Sequence, residues 1–457
     1  MTAINKSRRV LLICNEAIGP NMAGPAIRYW EFARVLSNYF TVVLAMPPFV
    51  QAPDPFNASE RNFAIRRCRT TSELQALIEN CDVMVTVGAN LSIYPFLADS
   101  PKPLVVDMYI PLMLEGLQKH LDKDIHERHL RQADYRKVHT LQIRAADFII
   151  CASDKQKDFW LGWLAALGRV NPYTHRDDPT LARLIEIVPF GLPSQAPLHT
   201  QPALKGAYKT IAADDKVILW GGGIWDWLDP YTLIRAVASI SRTQPKVKLF
   251  FMGIESPNPI SARVKAAAQA IQLSQELGVY DKHVFFHGWT PYHERQNYLL
   301  EADIGATLHL NHLETRFAFR TRFLDYLWAG LPIVTTAGDA ISEVVARWEL
   351  GKVVKCGDVD QTGQALLELM AIPDLRQQYQ PHFNQIRAKY EWETVLTPLI
   401  KFCEAPYQAP DKAYLKNIPW VEGEKSWPGK VLHAIRNYGI SGLVQQTRKY
   451  IRWKLQK

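Results

Sequence analysis

Residues 309–343 read HLNHLETRFAFRTRFLDYLWAGLPIVTTAGDAISE, and the rest of the chain is organised around them. Phe323, Leu324, Leu327 and Trp328 are spaced to form one apolar helix face. Asp325 lies off that face, three residues after Arg322 and four after Thr321. Gly330 is placed to end the helix, and Pro332 prevents its continuation. A strand over 333–335 and a turn at Gly338-Asp339 follow. Upstream come Glu314 and then three arginines, Arg316, Arg320 and Arg322. Arginines thus gather where a helix begins and where free N–H groups already favour an anion. A guanidinium grips phosphate oxygens in pairs, which lysine cannot do. A carboxylate further along the helix is suited to sugar hydroxyls. The plain alternative is a solvated helix start with an Arg322–Asp325 surface pair.

Working outward, 217–220 predicts a strand that feeds the turn Gly221-Gly222-Gly223-Ile224-Trp225-Asp226-Trp227, and Pro230 opens a helix. Glycines let backbone approach a phosphate closely. Further strands are expected at 248–252, 284–286 (before Gly288-Trp289) and 303–307. The N-terminal half repeats the alternation. Strands at 10–14, 41–46, 83–87, 104–107, 148–151 and 185–188 are interleaved with helical stretches, among them 125–146 and 155–167. Such alternation predicts parallel sheets covered on both faces. Asp107 and Tyr109 directly follow a strand, which puts them at the carboxyl edge where ligands bind, although Asp107 equally suits a helix cap. The first turn, 15–25, holds Gly19 and Gly24 without the G-x-G-x-x-G spacing, and Met46-Pro47-Pro48 supplies no acid after the second strand. A nicotinamide dinucleotide site needs both.

At 457 residues the chain is long enough for two domains. Its 53 Lys and Arg against 45 Asp and Glu give +8, which suits anionic substrates or a membrane surface and is too mild to imply nucleic acid. The six cysteines form no C-x-x-C pair or Cys/His cluster, so thiols in a reducing cytosol are expected. The apolar run at 10–14 is too short for a signal segment, and no run approaches the roughly 18 residues that span a bilayer. Residues 192–215 read as an interdomain linker. Residues 429–457 carry seven Lys or Arg and no Asp or Glu, with apolar residues between them. This basic tail suits an anionic membrane surface, a solvated tail or a packed terminal helix.

The run Leu324-Asp325-Tyr326-Leu327-Trp328-Ala329-Gly330-Leu331-Pro332 resembles the donor-site helix of the family 4 glycosyltransferases. These are retaining nucleotide-sugar enzymes of GT-B fold, and the closest likeness is to a bacterial branch serving surface polysaccharides. The resemblance covers about residues 8–403, most strongly 217–345. It implies an α/β protein with two doubly wound Rossmann-like domains facing across a cleft. The acceptor domain is expected at 1–195 and the nucleotide-sugar domain at 210–388. A helix at 389–403 crosses back, and 404–457 is linker and tail. The family has two glutamates, of which Asp325 replaces the second. The same spacing counted back lands on Phe317, and Glu314 is the nearest acid. Where relatives place an Arg in the glycine turn this chain has Gly223, and the turn lacks their Lys.

By this resemblance Glu314, Arg320 and Asp107 are the candidate catalytic residues. Gly222, Gly223, Gly288, Arg316, Thr321, Arg322 and Asp325 would bind the donor, and Gly24 and Tyr109 would line the acceptor side. The expected reaction moves a sugar from a nucleoside diphosphate to a glycan or lipid-linked acceptor. No metal or other cofactor is expected, because arginines meet the charge of the departing diphosphate. The expected location is cytoplasmic, with possible peripheral attachment to the inner face of the plasma membrane. The alternatives are an inactive scaffold on the same fold and a nucleotide-sugar epimerase.

Overall fold

The computed structural model describes residues 6–50, 62–176, 178–255 and 265–415. Two parallel sheets carry the chain. The first has strands β1 (Arg9–Ile13), β2 (Thr41–Met46), β3 (Ala64–Arg67), β4 (Val83–Val87), β5 (Leu104–Asp107), β6 (Phe148–Cys151) and β7 (Ile185–Ile187). Their spatial order is β3-β2-β1-β4-β5-β6-β7. The second has β8 (Lys216–Gly223), β9 (Val247–Gly253), β10 (Val284–Phe286), β11 (Ile304–Thr307), β12 (Ile333–Thr336) and β13 (Gly351–Val354), in the order β10-β9-β8-β11-β12-β13. In each sheet the order reverses beside the first strand, so a crevice opens at the carboxyl ends of β1 and β4 and of β8 and β11. Central strands such as β4 and β6 are buried along their whole length, which is why they read as continuous apolar runs.

The two sheets belong to one compact unit, Met1–Ala409. A continuous apolar core joins them. Trp392, fully buried, packs on Phe190 at 4.8 Å and on Phe32 at 6.1 Å. Phe402 stacks on Phe148 at 5.0 Å. The helices Trp392–Val395 and Thr397–Glu404, which follow the second sheet in sequence, therefore lie against the first. The compact unit also takes in 404–409, which the sequence reading assigned to the tail. The basic stretch 429–457 lies outside the described residues.

The helix Arg322–Ala329 ends at Gly330 in the left-handed conformation (φ 62°), as its position in the sequence requires. Tyr326 pins this helix to the second sheet. Its hydroxyl accepts from the Gly221 N–H at 2.8 Å and lies within hydrogen-bond distance of the Leu219 and Ala306 carbonyls. The ring lies so close to β11 that a Cβ on Gly305 would stand 2.6 Å from it. Gly305→Ala should therefore cost about 1–3 kcal/mol, as overpacking does. Urea unfolding measures this, and a variant as stable as the parent would refute the packing argument.

Candidate active site

Two adjoining cavities open where the carboxyl ends of the sheets meet. The larger is about 310 Å³ and the smaller about 130 Å³. Ala23, Gly24, Trp225, Thr321 and Arg322 line both, so they form one continuous cleft. Gly24 begins the helix Gly24–Leu36, where a Cβ would meet the Tyr109 hydroxyl at 3.3 Å. Close approach of that turn to the cleft thus depends on having no side chain there.

Arg322 stands at the junction. Its Nη2 donates to the Gly223 carbonyl at 2.8 Å, and its guanidinium lies 4.5 Å from the Trp220 ring centre. Burial pushes its pKa down to about 10, so it remains charged at pH 7. Its Nη1 is buried with no hydrogen-bond partner among the described residues. Arg320 holds Glu314 in a bidentate pair, Nη1 to Oε1 at 2.9 Å and Nη2 to Oε2 at 2.7 Å. Its Nε is likewise buried and unpartnered. Buried donors are almost always satisfied. Two orphan guanidinium nitrogens on one cavity are therefore donors waiting for an acceptor. Gly222 (φ 106°) and Gly223, at the end of β8, line the smaller cavity together with Arg322.

Asp325 lines the smaller cavity, and its Oδ1 accepts from Arg295 Nε at 2.9 Å. Arg295 also lies over the Tyr292 ring at 3.8 Å and the Trp328 ring at 4.6 Å. Tyr292 in turn donates to Glu31 on the opposite side of the cleft at 2.9 Å. This chain of contacts ties the helix Arg322–Ala329 to Gly24–Leu36.

Three candidates sit elsewhere than expected. Asp107 is fully buried, and Arg28 takes both its oxygens at 2.7 and 3.1 Å while also donating to the Val188 and Pro189 carbonyls. A carboxylate so occupied braces the end of β5 and does not line either cavity. Arg316 is exposed and lies against Phe317, 5.5 Å from its ring centre, because the five-residue helix Leu313–Phe317 turns it outward. Gly288 spends its carbonyl on the N–H groups of Ile254 and Glu255, and Trp289 lines the cavity in its place. Glu314, Arg320, Thr321, Arg322 and Tyr109 do come together on the larger cavity. The sequence reading did not find Glu115, Arg28 or Arg295. Arg28 and Arg295 act through Asp107 and Asp325, remote in sequence, and Glu115 is brought beside Glu314 and Arg320 only by the fold, so no local pattern marks any of the three.

Residues 209–382 match the family model described as Glycosyl transferases group 1. That stretch, which holds the second sheet, is similar to the group 1 glycosyltransferases. Solved GT-B structures share the fold over most of the chain. Sucrose-phosphate synthase from Thermosynechococcus elongatus is 15% identical with a TM-score of 0.61, over 87% of this chain and 98% of that one. WaaG, a glycosyltransferase involved in lipopolysaccharide biosynthesis, is 16% identical with a TM-score of 0.58, over 87% and 100%. HepE from Anabaena in complex with UDP-glucose is 13% identical with a TM-score of 0.61, over 87% and 99%. No curated protein sequence matches the chain. Among the described residues, no helix is long and apolar enough to cross a membrane.

Proposed function

We propose that this chain transfers a sugar from a nucleoside-diphosphate donor to a glycan or lipid-linked acceptor, with retention, in cell-surface polysaccharide synthesis. The observation that carries the proposal is the pair of buried guanidinium nitrogens on Arg320 and Arg322, unpartnered among the described residues, with Arg322 beside the glycines ending β8. A diphosphate would supply the missing acceptor atoms, and charge-assisted bonds of this kind strengthen as the leaving group gains charge. Arg322 would meet the diphosphate, Asp325 the ribose and Glu314 the sugar. On this reading arginines and backbone groups answer the leaving-group charge and no metal is called for. The UDP and UDP-glucose complexes of Anabaena HepE support the donor class.

Thermal unfolding in a series of nucleoside diphosphates tests the donor class, because a ligand of the native state raises its stability. A rise for one or more diphosphates is expected, and no rise with any would remove the proposal. Asp325→Ala should then weaken binding of the stabilising diphosphate by about 1–3 kcal/mol, the range for a charged hydrogen bond. Calorimetric titration gives the affinity directly, and a folded variant with unchanged affinity would strike Asp325 from the site.

A scaffold without turnover is the second reading. It is favoured by the prior claim of Glu314 on Arg320 and of Arg295 on Asp325. Diphosphate binding without sugar transfer would select it.

We also propose that the basic stretch 429–457 holds the protein at an anionic membrane surface, the cytoplasmic face of the plasma membrane being one such. Each Lys or Arg near such a surface contributes about 1 kcal/mol, weakened by salt. The full chain should sediment with anionic vesicles at low salt more than a chain ending at residue 428. Equal sedimentation would rule the tail out.

A further inference from the structure

The wall of the larger cavity carries a carboxyl that no described side chain or backbone group hydrogen-bonds. Glu115 stands half-buried on the helix Leu112–Lys119. Glu314 and Arg320 face it from the segment that follows β11, and Lys119 from its own helix. Tyr135 faces it from the helix Ile125–Ala145 and Tyr109 from the loop after β5. Trp225 and Trp227 line the same cavity, stacked on each other with ring centres 5.6 Å apart and planes 7° from parallel. An apolar aromatic face and one convergent polar group on one cavity are what a small polar ligand with an apolar side requires. A pyranoside is such a ligand, with C–H groups on its faces and hydroxyls around its rim.

We propose that Glu115 binds the acceptor as a pyranoside, hydrogen-bonding one of its hydroxyls while the Trp225–Trp227 pair takes a C–H face of the sugar. This rests on the larger cavity being the acceptor side of a glycosyltransferase. Burial first, and then the charge of Glu314, push the Glu115 pKa up to about 8, while Arg320 and Lys119 pull it down. The carboxyl is therefore neutral at pH 7 and offers both an O–H donor and a carbonyl acceptor. Above pH 8 it loses the donor, so acceptor affinity falls as pH rises.

The test uses the full chain with and without saturating UDP. Methyl glucopyranoside, methyl galactopyranoside and methyl mannopyranoside are the probes, followed by saturation-transfer NMR. At least one probe should bind the wild type. Glu115→Ala should weaken it by about tenfold or more at pH 7, with UDP affinity unchanged. Glu115→Gln imitates the neutral acid and should bind within about threefold of the wild type. Between pH 7 and 9 the wild type should lose about tenfold and Glu115→Gln should not. The proposal is overturned if no pyranoside binds the wild type, if Glu115→Ala binds like the wild type, or if Glu115→Gln loses as much as Glu115→Ala. If UDP does not bind the wild type, the nucleoside diphosphate that stabilises it replaces UDP. Failure of every nucleoside diphosphate would count against the donor reading alone, because the glycoside titration without nucleotide still decides the role of Glu115.

Discussion

Arg322→Met should lower sugar transfer by on the order of 10²-fold or more while leaving the fold in place. That is the scale seen when one preorganised donor to a developing charge is removed. Among the described residues no carboxylate hydrogen-bonds Arg322, and Asp325, the acid whose charge acts on it, is held by Arg295, so its loss strands no buried anion. What goes is one hydrogen bond to the Gly223 carbonyl and one contact with Trp220. Together these should cost at most about 2–3 kcal/mol of stability, and the methionine chain keeps the packing over Trp220. If the unpartnered Nη1 meets the diphosphate most strongly as the bond breaks, turnover falls further than donor affinity. Single-turnover transfer and calorimetric donor binding on the same variant separate the two. Near-normal transfer would remove Arg322 from the mechanism.

Arg320→Ala should behave differently and lose about 3–5 kcal/mol of stability. Arg320 and Glu314 are both buried, and their bidentate pair leaves Glu314 stranded when the arginine goes. Nothing in the local sequence marks Arg320 as buried, and it is the burial of the pair that makes its truncation costly. Arg320→Ala combined with Glu314→Ala should recover much of the loss, since no unpaired charge then remains. Urea unfolding of the two single variants and the double variant measures the coupling. Additive costs would mean that the pair contributes nothing as a pair.

Much of the fold was legible because the central strands of both sheets are buried on two faces and so read as apolar runs. Two strands, β3 and β13, were not found. Both lie at sheet edges, where one side of the strand meets no partner. Ala64-Ile65-Arg66-Arg67 and Gly351-Lys352-Val353-Val354 accordingly carry charge or glycine where an inner strand would carry Val or Ile. The glycine turn at 221–223 belongs to the end of β8, because Gly223 still pairs with Gly253 beyond a bulge.

The candidate site divides in the same way. Local spacing was enough to place Thr321, Arg322 and Asp325 on one helix, to stop that helix at Gly330 and to set arginines at its start. Periodicity and capping involve neighbours within a few residues, so they are written in the sequence itself. Which charges are spent and which remain available is not local. Asp107 is neutralised by Arg28, 79 residues away, and Asp325 is held by Arg295, 30 residues away. Arg316 and Arg320 look equivalent in the sequence, yet one faces solvent and the other is buried against Glu314. Tertiary packing alone decided these pairings, because the strength and the availability of a charge depend on what the fold buries beside it.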